Sequence, residues 1–79
     1  MTRTNDLTPR RIRAARVKAG LTGDELAERV RARDAADYPD LPRLRTNCVQ
    51  VSRWETGTRR PTGRSAVALE RVLDELTGS

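Results

Sequence analysis

The sequence predicts an all-α fold of four to five helices, with a long insert between the second and third. Three observations predict it. Apolar residues recur at helical spacing, and no stretch alternates as a half-buried strand does. Helix start and stop signals divide the chain at regular intervals. With no Phe, one Trp and one Tyr, the core must be built from Leu, Val, Ile and Ala, which suits a helical bundle better than a sandwich.

The first helix begins at Thr8-Pro9, where Thr accepts from free backbone N–H groups and Pro is tolerated in the first turn. It runs to about Ala19, with Ile12, Ala15 and Ala19 on one face, and Gly20 stops it. Leu21 is placed to fold back onto the core. Ahead of this helix, residues 1–7 read as a flexible polar arm with Arg3 its only basic residue.

Thr22-Gly23-Asp24-Glu25 is a capping box, with Thr at the N-cap and Glu three residues later. Leu26, Ala27 and Val30 form the apolar stripe of the second helix, which extends to about Ala36. Pro39 and Pro42 then break regular helix. Tyr38, Leu41 and Leu44 lie three apart and are expected to tack this segment onto the core as an ordered loop or short turn. Asn47 is the expected N-cap of the third helix, with Val51 and Trp54 inward and Gly57 at its end. Thr58-Arg59-Arg60-Pro61 is a basic turn. Thr62 caps a last helix striped by Ala66, Leu69, Val72, Leu73 and Leu76, and residues 77–79 are a tail.

Length and composition narrow the function. A chain of 79 residues makes one small domain, read here as residues 8–76, without room for a large internal cavity. No run approaches the roughly 20 apolar residues of a membrane span, and no signal-peptide pattern is visible. The single Cys48 rules out an internal disulfide, and a cytoplasmic setting is expected. There is no His, which removes His-based triads and the commonest general base. One Cys makes no zinc cluster, and no glycine-rich phosphate loop follows a strand. The expectation is a non-enzyme with no cofactor, metal or small-molecule ligand. The net charge of +5, from sixteen basic and eleven acidic residues, favours a polyanionic partner. All the basic residues but Lys18 are Arg, the better bidentate partner for phosphate and guanine. A GC-rich genome produces the same bias, so the Arg excess by itself decides little.

Two blocks carry a resemblance. One is Ile12 to Val30, around Arg16-Val17-Lys18-Ala19-Gly20-Leu21-Thr22-Gly23-Asp24-Glu25-Leu26-Ala27. The other is Asn47 to Leu76, around Val51-Ser52-Arg53-Trp54-Glu55-Thr56-Gly57-Thr58-Arg59-Arg60-Pro61. Together they cover roughly two thirds of the chain, and they resemble the helix-turn-helix family of phage Cro and cI repressors and of xenobiotic-response-element-type regulators. The resemblance implies a lambda-repressor-like domain that binds double-stranded DNA, a small Cro-like repressor of phage or bacterial origin. It implies an ion pair between Arg16 and Glu55, a close helix approach at Ala27 and a positive-φ turn at Gly57.

The third helix would then lie in the major groove, with Cys48, Val49, Gln50, Ser52 and Arg53 at base edges. Arg53 suits guanine, or alternatively a phosphate; Gln50 suits adenine or phosphate; Cys48 and Val49 suit thymine methyls. Cys48 reads equally well as a small, partly buried apolar residue. Thr22, Gly23, Asn47, Arg59, Arg60 and Thr62, at helix starts or in the basic turn, would meet phosphates. Six such neutralised phosphates would give a salt slope of about −5. The sequence departs from the family in two places. Gly23 stands where the family places Gln, leaving only a backbone N–H. Residues 31–46 separate the two blocks, where the family uses a turn of about three or four residues.

That insert has three open uses: DNA contact through Arg43 and Arg45, a subunit interface through Tyr38, Leu41 and Leu44, or inert packing. A weak homodimer assembling on DNA is expected. Two other readings compete. One is an antitoxin or adaptor acting through a partner protein, using exposed apolar residues of the last helix. The other is a recombination directionality factor, for which no hairpin signal is present.

Overall fold

The computed structural model describes residues 7–78. Four helices make up its regular structure, and there is no strand among the described residues: α1 Pro9–Lys18, α2 Gly23–Asp37, α3 Cys48–Thr56 and α4 Gly63–Leu76. The flexible arm expected over residues 1–7 falls almost wholly outside the described residues. Leu7, the one described, is half-buried against the core and so is no part of a free arm.

Local chemistry sets the helix starts. Thr8 accepts from Arg11 N at 3.1 Å, with Pro9 in the first turn. The capping box at α2 is complete: Glu25 N donates to Thr22 Oγ1 at 3.1 Å, and Thr22 N donates to Glu25 Oε1 at 2.8 Å. Asn47 Oδ1 accepts from Gln50 N at 3.1 Å and starts α3. Thr62 corrects the expectation. It occupies the N-cap position of α4, but its side chain makes no capping hydrogen bond; instead Ser65 Oγ donates to the Thr62 carbonyl at 2.6 Å.

The core lies between α2 and the other helices, with α2 packed on α3 and α4, and α1 packed on the same two. Ile12, Leu26, Val30, Val51, Leu69, Val72 and Leu73 are fully buried, and Trp54 nearly so. Ala27, with no exposed surface, is the small residue on α2. Ala19 departs from the predicted stripe: it is the exposed C-cap of α1 rather than a core residue. At Gly57, φ is +81°, the left-handed conformation that ends α3 and that a side chain would strain.

The predicted insert is shorter than its sequence span. Residues 31–37 continue α2 without a break, because Arg31-Ala32-Arg33-Asp34-Ala35-Ala36 has no helix breaker. Only residues 38–47, between Asp37 and Cys48, are irregular. The tacking expectation is also corrected. Tyr38 and Leu41 are 41% and 45% exposed, and Leu44 alone of the three packs against the core.

Candidate nucleic-acid interface

Two buried side chains hold α3 in place. Val51 and Trp54, three residues apart on one face, are 1% and 3% exposed. Glu55, one residue on, faces α1. Arg16 meets it with two hydrogen bonds, Nε to Oε2 at 2.6 Å and Nη2 to Oε1 at 3.0 Å. The third arm of the same guanidinium, Nη1, donates to the Leu21 carbonyl at 2.9 Å. Arg16 thereby joins α1, the turn before α2 and the last turn of α3. The Glu55 hydrogen bond raises the Arg16 pKa above its already high ordinary value.

With that face fixed, Cys48, Val49, Ser52, Arg53 and Thr56 are exposed, while Gln50 is half-buried. The structure therefore brings the candidate base-reading residues onto one element, with Gln50 the least available. The start of α2 lies beside the start of α3. A Cβ placed on Gly23 would sit 3.5 Å from Cys48 Cβ, ordinary van der Waals contact, so packing does not demand glycine there. Next to it, the Asp24 carboxylate pushes the Cys48 thiol pKa up.

The basic turn is ordered by backbone contacts. Gly57 N donates to the Trp54 carbonyl at 3.4 Å, and Arg59 N donates to the Arg53 carbonyl at 3.2 Å. Thr56 and Thr58 share a hydroxyl hydrogen bond of 3.0 Å. Arg59, Arg60 and Thr62 are exposed along this turn. Thr22 is exposed as well, but its hydroxyl is already an acceptor in the capping box.

Charge is divided unevenly over the molecule. Glu28, Asp34, Asp37, Asp74 and Glu75 pair with Arg31, Arg64, Arg33, Arg11 and Arg33, all on α1, α2 and α4. From residue 41 to residue 63 the chain contains five arginines and one acid, Glu55, and Arg16 neutralises that acid. Arg43, Arg45, Arg53, Arg59 and Arg60 are exposed and make no side-chain hydrogen bond or ion pair among the described residues. Arg10, Arg13, Lys18 and Arg29 on α1 and α2 are likewise exposed without a side-chain partner among the described residues, so the unpaired positive charge is shared between those helices and α3 with its two flanking segments. The sequence pattern showed the turn arginines but not this sorting, which depends on which acids the fold consumes.

Two further arginines act on the segment before α3, and neither was singled out from the sequence. Arg64, in the first turn of α4, donates Nε to Asp34 Oδ1 at 3.2 Å and Nη2 to both Asp34 Oδ2 and the Pro42 carbonyl, the latter at 2.7 Å. Arg31 donates Nη1 to the Thr46 carbonyl. Asp34 is 1% exposed, a buried carboxylate whose partner is Arg64. Its hydrogen bond raises the Arg64 pKa. A signal was present in the spacing, since Asp34 falls four residues after Val30 on the buried face of α2.

Other chemistry finds little support. A cleft of about 280 Å3 lies between α1, the start of α2 and α3, lined in part by Arg13, Gly23, Ser52 and Thr56. That is at the small end for a ligand pocket. No group of three or more potential metal-ligating residues occurs among the described residues. No described helix is long and apolar enough to cross a membrane. Comparisons of the chain with protein-family models, with curated proteins and with solved structures returned no match.

Proposed function

We propose that this chain is a sequence-specific regulator that binds duplex DNA through α3, a small lambda-repressor-like helix-turn-helix protein acting as a Cro-like repressor. The observation that carries the reading is the unpaired arginine set. Arg53 on the exposed face of α3 and Arg59 and Arg60 just after it have no side-chain partner among the described residues, and Glu55, the one acid of residues 41–63, is neutralised by Arg16. Leaving guanidiniums unpaired beside an exposed helix face suits a polyanion with readable base edges.

In this reading α3 enters the major groove. Arg53 takes a guanine, and Val49 and Cys48 pack on thymine methyls. The thiol is a weak donor in any case, and the Asp24 carboxylate keeps it protonated, which suits apolar packing. The backbone N–H groups at the starts of α2 and α3 and the side chains of Arg59 and Arg60 take phosphates. Two copies on half-sites about 34 Å apart form the repressing complex, with weak association off DNA.

The test is selection of bound sequences from a random duplex pool, followed by affinity measurement across a salt series. A preferred site that binds more weakly as salt rises, by about 0.9 in log–log slope for each neutralised phosphate, supports the reading. Absent or salt-insensitive binding defeats it and favours a protein partner.

A further inference from the structure

We infer that the segment joining α2 to α3 presents Arg43 and Arg45 as a second contact to the DNA backbone, ahead of α3. This rests on the DNA-binding reading above and enlarges its footprint. The segment is built to present these two side chains. Arg64 holds the Pro42 carbonyl and Arg31 holds the Thr46 carbonyl, so the backbone is fixed on both sides of the pair. Between those ties the chain has no regular structure, and burial alternates: Arg43 exposed, Leu44 half-buried against the core, Arg45 exposed, Thr46 buried. Leu44 thus turns its two neighbours outward together.

Arg43 and Arg45 have no side-chain partner among the described residues, although carboxylates on α2 and α4 engage Arg31, Arg33 and Arg64 nearby. They stand four and two residues before Asn47, within about 14 and 7 Å of the start of α3 along an extended chain. A fixed backbone lowers the ordering cost of binding, because only the two side chains remain to be immobilised. With Arg59 and Arg60 after α3, the reading helix is flanked at each end by a pair of cations, an arrangement that follows a phosphate backbone past both ends of a helix seated in a groove. The chemistry is sequence-independent, since the guanidiniums meet phosphates rather than bases.

The experiment uses the full chain and a labelled mixed-sequence duplex, titrated over a salt series. Wild-type protein, R43A/R45A and R43K/R45K are compared, with thermal unfolding as the check on folding. The expected result is a log–log salt slope shallower by about 1.8 for the alanine pair, two phosphates at about 0.9 each, and restored by the lysine pair. Unfolding temperatures should match, because both side chains are exposed and make no hydrogen bond or ion pair among the described residues. Wild-type slope in R43A/R45A overturns the inference while leaving DNA binding through α3 intact, and it is also the result expected if these arginines meet an acidic protein instead. Loss of salt-dependent binding in the wild type overturns both.

Discussion

Arg64 and Asp34 lie thirty residues apart and form an ion pair of unequal burial, with the Asp34 side chain 1% and the Arg64 side chain 31% exposed. The asymmetry in burial has a consequence for substitution. Arg64→Ala strands a buried carboxylate and should cost about 3–5 kcal/mol. Asp34→Ala leaves a guanidinium that still reaches water and the Pro42 carbonyl, and should cost about 1–2 kcal/mol. Urea unfolding of the two variants checks the order, and equal costs would refute it.

The Arg16–Glu55 clamp is bidentate and shares its arginine with the Leu21 carbonyl. Glu55→Ala removes one side of the pair and should destabilise the domain by about 2–4 kcal/mol. That is the lower part of the range for a broken buried pair, because the Arg16 side chain is 19% exposed. Replacing both partners with apolar residues of similar volume should recover most of the loss. Failure of the double variant to recover would show that the Leu21 tie, and not the pair, carries the stability.

Trp54 is the only tryptophan and is 3% exposed. Its emission should be blue-shifted in the native protein and move to longer wavelength as urea unfolds it. Trp54→Ala should cost about 3–5 kcal/mol, comparable to the whole stability of a domain this size, so circular dichroism should show a largely unfolded chain.

Cys48 is exposed, yet Asp24 favours its protonated form. The thiolate is the reactive species, so alkylation near pH 8 should be slower than for a free thiol, and the rate should climb as pH rises through the raised pKa. Asp24→Asn should speed it. An unchanged rate in that variant would show that Asp24 does not govern the thiol.

Arg53→Ala should relax base preference at one position of the selected site, a loss of about 1–3 kcal/mol of discrimination. Arg59→Ala with Arg60→Ala should weaken all sequences alike and flatten the salt slope by about 1.8. If Arg53→Ala behaves like the turn pair instead, Arg53 is a phosphate contact.

What was legible from the sequence was local. Thr22 and Glu25 are three residues apart, so their reciprocal cap needs only the helix they start. Val51 and Trp54 likewise announce a buried face by spacing alone. Thr62 was misread because its side chain makes no capping hydrogen bond from a position that offers one, an outcome of local geometry that residue type alone does not encode. The end of α2 was legible too: residues 31–36 contain no helix breaker, and α2 ends at Asp37, where Tyr38 leaves helical geometry ahead of Pro39, so that only the later part of residues 31–46 is irregular. Arg64 with Asp34, and Arg31 with the Thr46 carbonyl, were invisible for a different reason. The first requires the packing of α4 on α2 and the second the return of the chain to α2; the spacing of Asp34 marks a buried position, but nothing in a chain rich in arginine marks which arginine meets it. The same holds for the exposed face of α3: the residue types were visible, whereas the absence of a side-chain partner at Arg53 among the described residues is a property of the folded charge distribution.

The ties at Pro42 and Thr46 also divide the connecting segment into a fixed half and a free half. Tyr38, Pro39, Asp40 and Leu41 are exposed, and the one backbone bond among them is the turn from Leu41 N to the Tyr38 carbonyl at 3.1 Å. None of the ties that position α3 involves them: not the Arg16–Glu55 pair, the packing of Val51 and Trp54, or the holds at Pro42 and Thr46. Length can therefore change at residues 39–40 at about 0.6 kcal/mol per doubling of the loop, with no effect on how α3 is aimed. The molecule contains a splice point, where a foreign peptide or an affinity handle can be grafted next to α3 without disturbing it.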